Sequence, residues 1–151
     1  MGRLVIKAML NLGAASLAIA ALADNASSDS SVAECPPPLN VAAAMSLRQL
    51  PEPVLEALRE KVGDIEDRDG PFDVGDVWVT GHHRRFMFAW HRGERWVVAT
   101  ERGGIAYSQP VFAYDLRSTG KPATVAEEIY SQRDTLCKVA AETLRLPSSH
   151  D

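Results

Sequence analysis

Apolar positions run together at the N-terminus, fall at helical spacing in the next stretch, alternate through the middle and return to helical spacing near the end. The opening MGRLVIKAMLNLGAASLAIAALA has a positive start in Arg3 and Lys7 and then an apolar run. It closes in Ala21-Leu22-Ala23, the small-x-small pattern that signal peptidase accepts. The run is short for a membrane span, which takes about 20 residues, and no later apolar segment approaches that length. Residues 1–23 are therefore expected to be a cleaved signal peptide, with the mature chain in the periplasm or secreted; an uncleaved anchor is the alternative. Residues 24–40, DNASSDSSVAECPPPLN, are small, polar and proline-rich and read as a disordered tether.

A single domain is expected over residues 41–147. VAAAMSLRQL (41–50) predicts a short helix. Pro51 and Pro53 interrupt it, and Pro53 suits the first turn of a second helix. There Val54, Leu58 and Val62 recur at i, i+4 and i+8, with Gly63 beyond the end as a cap.

From Val74 the period changes to two and predicts four strands, about 74–81, 84–91, 95–101 and 104–116. The links are TGHH, Arg92-Gly93 and Gly103-Gly104, and connections this short make neighbouring strands antiparallel. Pro110 lacks a ladder donor, so the fourth strand is expected to bulge there or lie at an edge. In the second strand Phe86, Phe88 and Trp90 alternate against Met87, Ala89 and His91; in the third, Trp96 and Val98 alternate against Arg95, Val97 and Ala99. Both faces are thus apolar while helices are expected on one, which leaves part of the aromatic set for an exposed aromatic-basic face. An Arg92-Gly93 turn also sets Trp90 opposite Arg95, in reach of a cation–π contact.

The closing ATVAEEIYSQRDTLCKVAAETLRL predicts one long helix. Thr124 and Glu127 form a capping box, and Val125, Ile129, Leu136, Ala140 and Leu144 lie close to one stripe. The expected class is α+β: N-terminal helices, a four-stranded antiparallel meander and a C-terminal helix packed on one sheet face.

Cysteine content and charge narrow the functional classes. Cys35 and Cys137 are the only cysteines, and an even count in an oxidising compartment reads as a disulfide; two buried thiols are the alternative. Such a bridge leaves no cysteine for nucleophilic catalysis or for zinc. Residues 24–76 carry 12 acidic and 4 basic groups, and residues 77–151 carry 8 acidic and 10 basic. The mature chain lacks the basic footprint that nucleic-acid binding needs.

Residues 75–104 hold three Trp, three His and five Arg, which raises the question of metal or imidazole chemistry. His82 and His83 are adjacent, so in extended chain they point to opposite faces and only one can join His91. Zinc takes three or four ligands, and Arg84 and Arg85 oppose a cation, so no metal is expected. The acidic stretch GDIEDRDGPFDVGD (63–76) matches the calcium-loop pattern only in part, with Gly70 at the sixth position. Asp67, Asp69, Asp73 and Asp76 then fall at positions three, five, nine and twelve, but Ile65 takes the first position and no glutamate closes the loop. A solvated acidic loop is the better reading. No G-x-S-x-G occurs, Ser108 has no base at recognisable spacing, and no cofactor motif is present.

ERGGIAYSQPVFAYDL (101–116) remains. Two glycines followed by Ile, Tyr, Ser, Gln and Pro make a flexible loop with an aromatic tip, suited to entering a concave partner. GGIAY (103–107) resembles the S-G-x-x-Y loop with which small periplasmic inhibitors of c-type lysozyme plug the enzyme cleft, Gly103 standing in place of the serine. The resemblance covers those five residues only; the inhibitors are β-barrels, whereas this chain reads as helix, sheet, helix.

The expected function is therefore binding to another protein, as an inhibitor or immunity protein against a cell-wall-degrading or toxin enzyme. Tyr107 and Ser108 are the expected loop contacts, with Arg92, Arg95 and Arg102 as charge complements. No catalytic residue is assigned. The rival reading is a small hydrolase or metal-assisted enzyme built on His83, His91 and Glu94, or a ligand-binding envelope protein. A pocket gathering those three side chains favours the enzyme; a convex face with Tyr107 protruding favours binding.

Overall fold

The middle of the chain folds as five antiparallel strands in sequence order, each paired with the next, in a computed structural model that describes residues 35–77, 79–117 and 121–146. The expected signal peptide, residues 24–34 of the expected tether and Pro147 lie outside the described residues. The strands are β1 (Ala42–Ala44), β2 (Arg84–Arg92), β3 (Arg95–Arg102), β4 (Gln109–Asp115) and β5 (Ala123–Ser131), with helices α1 (Glu52–Val62) and α2 (Leu136–Thr143). The class is α+β. The sheet has one strand more than expected, and three elements differ from the sequence reading.

The segment 41–50 is not a helix. Ala42, Ala43 and Ala44 pair with His91, Trp90 and Ala89 along the edge of β2, and a single 3₁₀ turn follows at Leu47–Gln49. Asp67 competes for this backbone from a distance: its carboxylate accepts from Ser46 Oγ at 2.7 Å and from the Leu47 N–H at 3.0 Å. Residues 74–77 and 79–81 form no strand and are described below. The expected long C-terminal helix is half strand, because residues 123–131 complete the sheet beside β4.

The cause of that last difference is a bulge. Val111 pairs with Ile129 and Ala113 with Ala126, so Glu127 and Glu128 together face one residue of β4, and Glu128 takes a φ of 41°. Inward residues of β5 are thereby three apart, the spacing that a helix also gives. The same bulge places two carboxylates on an edge strand, a feature that discourages pairing with another chain.

A second bulge corrects the reading of β2. Phe86 pairs with Thr100 and Phe88 with Ala99, which leaves Met87 without an opposite residue. The alternation therefore changes phase: Phe86 and Ala89 join one core, and Met87, Phe88 and Trp90 join the other. Adjacent Val97 and Val98 likewise belong to different cores, which lie on opposite faces of the sheet. Val54, Ala57, Leu58 and Val62 of α1 pack with Phe86, Val98 and Phe112 on one face. Leu136 and Ala140 of α2 pack with Phe88, Trp90 and Val97 on the other. Each face thus has its own helix, so the expectation of helices on one face alone is overturned. The expected exposed aromatic-basic face disappears with it: Phe86, Phe88, Trp90 and Trp96 are all buried.

Gly93 and Glu94 form the turn between β2 and β3, with Gly93 at φ 57°, the positive value that the first position of a two-residue hairpin loop takes. Trp90 accordingly pairs with Val97 and not with Arg95, so the expected cation–π pair is not formed. Pro110 lies in an inner strand, and no bulge or edge is needed to hold it: the β3–β4 ladder ends one residue away at Val111. Cys35 and Cys137 are joined in a disulfide, which ties the start of the described chain to α2. Among the described residues no helix is long and apolar enough to cross a membrane.

Candidate functional site: the loop end of the sheet

Asp73 organises the loop that follows the acidic stretch. Its N–H donates to the His82 carbonyl at 2.8 Å, which closes residues 73–82 into a ring. Its carboxylate accepts from the N–H groups of Thr80 at 3.0 Å and Gly81 at 2.8 Å, and Gly81 takes a φ of 81° to present its donor. Burial pushes the Asp73 carboxyl up, but the amide donors of Thr80 and Gly81 and the Thr80 hydroxyl hold it on balance below the ordinary carboxylate range.

A carboxyl lowered in the folded state contributes stability above its unfolded pKa and loses that contribution as pH falls through its folded value. The ring is therefore expected to stay closed at neutral pH and to loosen only below about pH 4. Amide exchange at Thr80 and Gly81, measured as a function of pH and corrected for intrinsic rates, checks this. Asp73→Asn is expected to bring the loosening to neutral pH, and protection that survives both acid and the variant counts against the assignment.

The closed loop docks on the β3–β4 connection. Gly104 N–H donates to the Val74 carbonyl at 3.1 Å and Gly103 N–H to the His83 carbonyl at 2.9 Å. A Cβ on Gly103 would lie 1.8 Å from the Asp73 carbonyl oxygen, so only glycine permits this approach. Arg102 and Ser108 exchange backbone hydrogen bonds in both directions, at 2.8 and 3.0 Å, which fixes the turn between them. The two loops form one hydrogen-bonded end, and they present aliphatic side chains to solvent: Val77 is 75% exposed, Val79 81% and Ile105 93%.

Beside them a cavity of about 520 Å³ is lined by Asp76, His83, Arg84, Arg102, Ile105 and Ala106, with Gly103 and Gly104. Neither Val77 and Val79 nor Arg84 was among the residues singled out from sequence. The valines lie within the expected strand 74–81, and Arg84 enters there only as a charge opposing zinc.

The residues that were singled out divide between the two ends of the sheet. Arg102, Tyr107 and Ser108 are at the loop end. Arg92 and Arg95 flank the β2–β3 turn, roughly 24 Å away along β3 at the usual rise per residue. The structure does not bring the five together. Arg95 is also not on display: its side chain is 11% exposed, its Nη2 lies 3.2 Å from Asp115 Oδ2, and its Nη1 donates to the Leu146 carbonyl at 2.7 Å.

Tyr107 is exposed along part of its ring, but its hydroxyl turns inward. It donates to Glu101 Oε2 at 2.9 Å and accepts from Gln109 Nε2 at 3.0 Å. Glu101 in turn pairs with Arg85 Nε at 2.6 Å, and the Arg85 guanidinium lies over the Phe72 ring at 4.7 Å. Burial, and then the Glu101 carboxylate, push the Tyr107 phenol above its ordinary pKa, so it remains a hydrogen-bond donor. Tyr107 is a strut for the loop whose tip is Ile105.

The rival constellation is not gathered. His83 stands just before β2 at the loop end, whereas His91 and Glu94 lie at the opposite end of the strand pair. His91 stacks on Trp96, ring centroids 4.2 Å apart and planes at 12°. His82 Nδ1 lies 2.9 Å from Glu66. Of the four aspartates tested as calcium ligands, Asp67 and Asp73 both spend their carboxylates on backbone donors.

No protein-family model matches the chain, and neither a curated protein nor a solved structure matches it.

Proposed function

We propose that this is an exported, disulfide-closed protein that acts by binding another protein through the loop end of its sheet, as an inhibitor or immunity protein directed at a cell-wall-degrading or toxin enzyme. One observation carries the reading. Val77, Val79 and Ile105 are exposed on two loops that backbone hydrogen bonds and a glycine contact join. Apolar side chains exposed on joined loops favour association, because burial in a partner removes them from water. The polar rim of Arg102, Arg84 and Asp76 suits the periphery of such an interface. The apolar N-terminal run and the disulfide support an oxidising compartment.

The direct test is a photo-crosslinking residue placed at Ile105 and, as a control, at exposed Glu56 on α1, in cells that produce the protein. The Ile105 probe is expected to trap a species that the Glu56 probe does not. The trapped protein is expected to be an enzyme whose activity falls on titration with the wild-type chain and is unaffected by an Ile105→Asp, Val79→Asp chain. Identical trapping from both positions, or a partner still bound by the double variant, overturns the reading.

A further inference from the structure

Arg84 and Arg102 are directly opposed across β2 and β3. Opposed residues of an antiparallel pair project from the same face with their Cβ atoms about 5 Å apart, and like charges in that relation repel. The next pair in the ladder shows the ordinary solution, since Arg85 faces Glu101 and the two form an ion pair of 2.6 Å. Arg84 and Arg102 have no such relief: among the described residues neither guanidinium forms an ion pair or a side-chain hydrogen bond. Both line the cavity described above. Asp76 lines it as well, yet pairs with neither arginine, so the cleft keeps an excess of positive charge.

Two guanidiniums on one side of a concave site offer paired N–H forks, the arrangement that holds a carboxylate or phosphate group by several charge-assisted hydrogen bonds. The volume, about 520 Å³, falls within the range of small-molecule sites and far exceeds an inorganic ion. Ile105 and Ala106 add an apolar wall next to the charges. We infer that the cleft between Arg84 and Arg102 is a binding site for an organic anion, with a carboxylate or phosphate head on an aliphatic body. The head sits between the two guanidiniums and the body lies against Ile105 and Ala106. The inference stands on the cleft alone and does not depend on the protein-binding reading. The same chemistry comes from a free alkyl anion or from a glutamate or aspartate side chain on a polypeptide.

Amide chemical shifts followed during titration of the full chain test it, with octyl phosphate, inorganic phosphate, octanol and a blocked Leu-Glu-Leu tripeptide as probes. Saturable shifts at residues 83–84 and 102–106 are expected with octyl phosphate and not with octanol, and inorganic phosphate is expected to bind more weakly. Arg84→Gln and Arg102→Gln are each expected to weaken binding about tenfold or more. Asp76→Asn is expected to tighten it. Since each arginine variant removes one member of a repelling pair, neither is expected to lower the unfolding temperature of the free protein, which separates loss of the site from loss of the fold. Binding of octyl phosphate alone assigns the cleft to a free ligand, and binding of the tripeptide alone assigns it to an acidic side chain. The inference is overturned by equal shifts with octanol, by arginine variants that bind as the wild type does, or by the absence of saturation with every probe.

Discussion

Replacing Cys35 and Cys137 by alanine is expected to lower unfolding stability by about 4–5 kcal/mol, the effect of opening a loop of that size in the chain-entropy account. The bridge spans 102 residues and closes nearly the whole described chain. The loss has a local side too. Cys35 and Val41 belong to the core under α2, and the strand that follows is only three residues long and sits at the sheet edge. Without the bridge, β1 keeps its pairing with β2, the burial of Ala44 and Leu47 and the Asp67 bonds to Ser46 and Leu47, but it loses the anchor on its N-terminal side. Urea titration of the oxidised protein against the double alanine variant measures the first effect, and amide exchange at Ala42–Ala44 measures the second. An unchanged urea midpoint rules out the loop-closure contribution; unchanged exchange in β1 shows that the remaining contacts retain the edge strand.

What the sequence made legible depends on whether a local pattern had a single structural meaning. The α1 stripe did, because Val54, Leu58 and Val62 recur at helical spacing between a helix-starting proline and a closing glycine. The β2–β3 hairpin did as well, although the turn proved to be Gly93-Glu94, one position later than expected. Pattern failed at the bulges. An inserted residue at Met87 moved Phe88 and Trp90 to the opposite face from Phe86, and an inserted residue at Glu127–Glu128 gave a strand the spacing of a helix. Alternation by itself was also insufficient: Val77 and Val79 alternate as in a strand, but the Asp73 carboxylate accepts from the Thr80 and Gly81 N–H groups in place of a ladder partner.

The candidate site was half legible. Arg102, Tyr107 and the Gly103-Gly104 connection were found by composition, while the pairing of Arg102 with Arg84 depends on a register that no local signal fixes. Grouping Arg92 and Arg95 with them failed for a related reason. Nearness in sequence across a strand of eight residues is distance in space.

Arg95→Glu is expected to be among the most damaging single substitutions in the chain, at about 3–5 kcal/mol or more, because it exchanges one half of a buried ion pair for a second negative charge. Arg95 pairs in register with Asp115 across β3 and β4, and the two side chains are 11% and 4% exposed. Asp115 also receives Arg117, whose side chain is 59% exposed. Removing that outer arginine is expected to cost clearly less than the inner exchange, because its guanidinium stays largely in water and Asp115 keeps Arg95 as a partner. Chemical denaturation of Arg95→Glu, Arg117→Ala and the parent separates the two effects, and similar losses from both variants would mean that the inner pair is not a buried one.

The distinction decides how binding experiments are read. Loss of binding by an Arg95→Glu chain mixes lost stability with any lost contact and so does not by itself report a contact. Arg92 is exposed at the same end of the sheet, so Arg92→Glu tests that end without breaking a buried pair. If binding runs through Val77, Val79 and Ile105 at the far end, Arg92→Glu leaves affinity unchanged while Ile105→Asp abolishes it. The reverse result moves the partner surface to the β2–β3 turn.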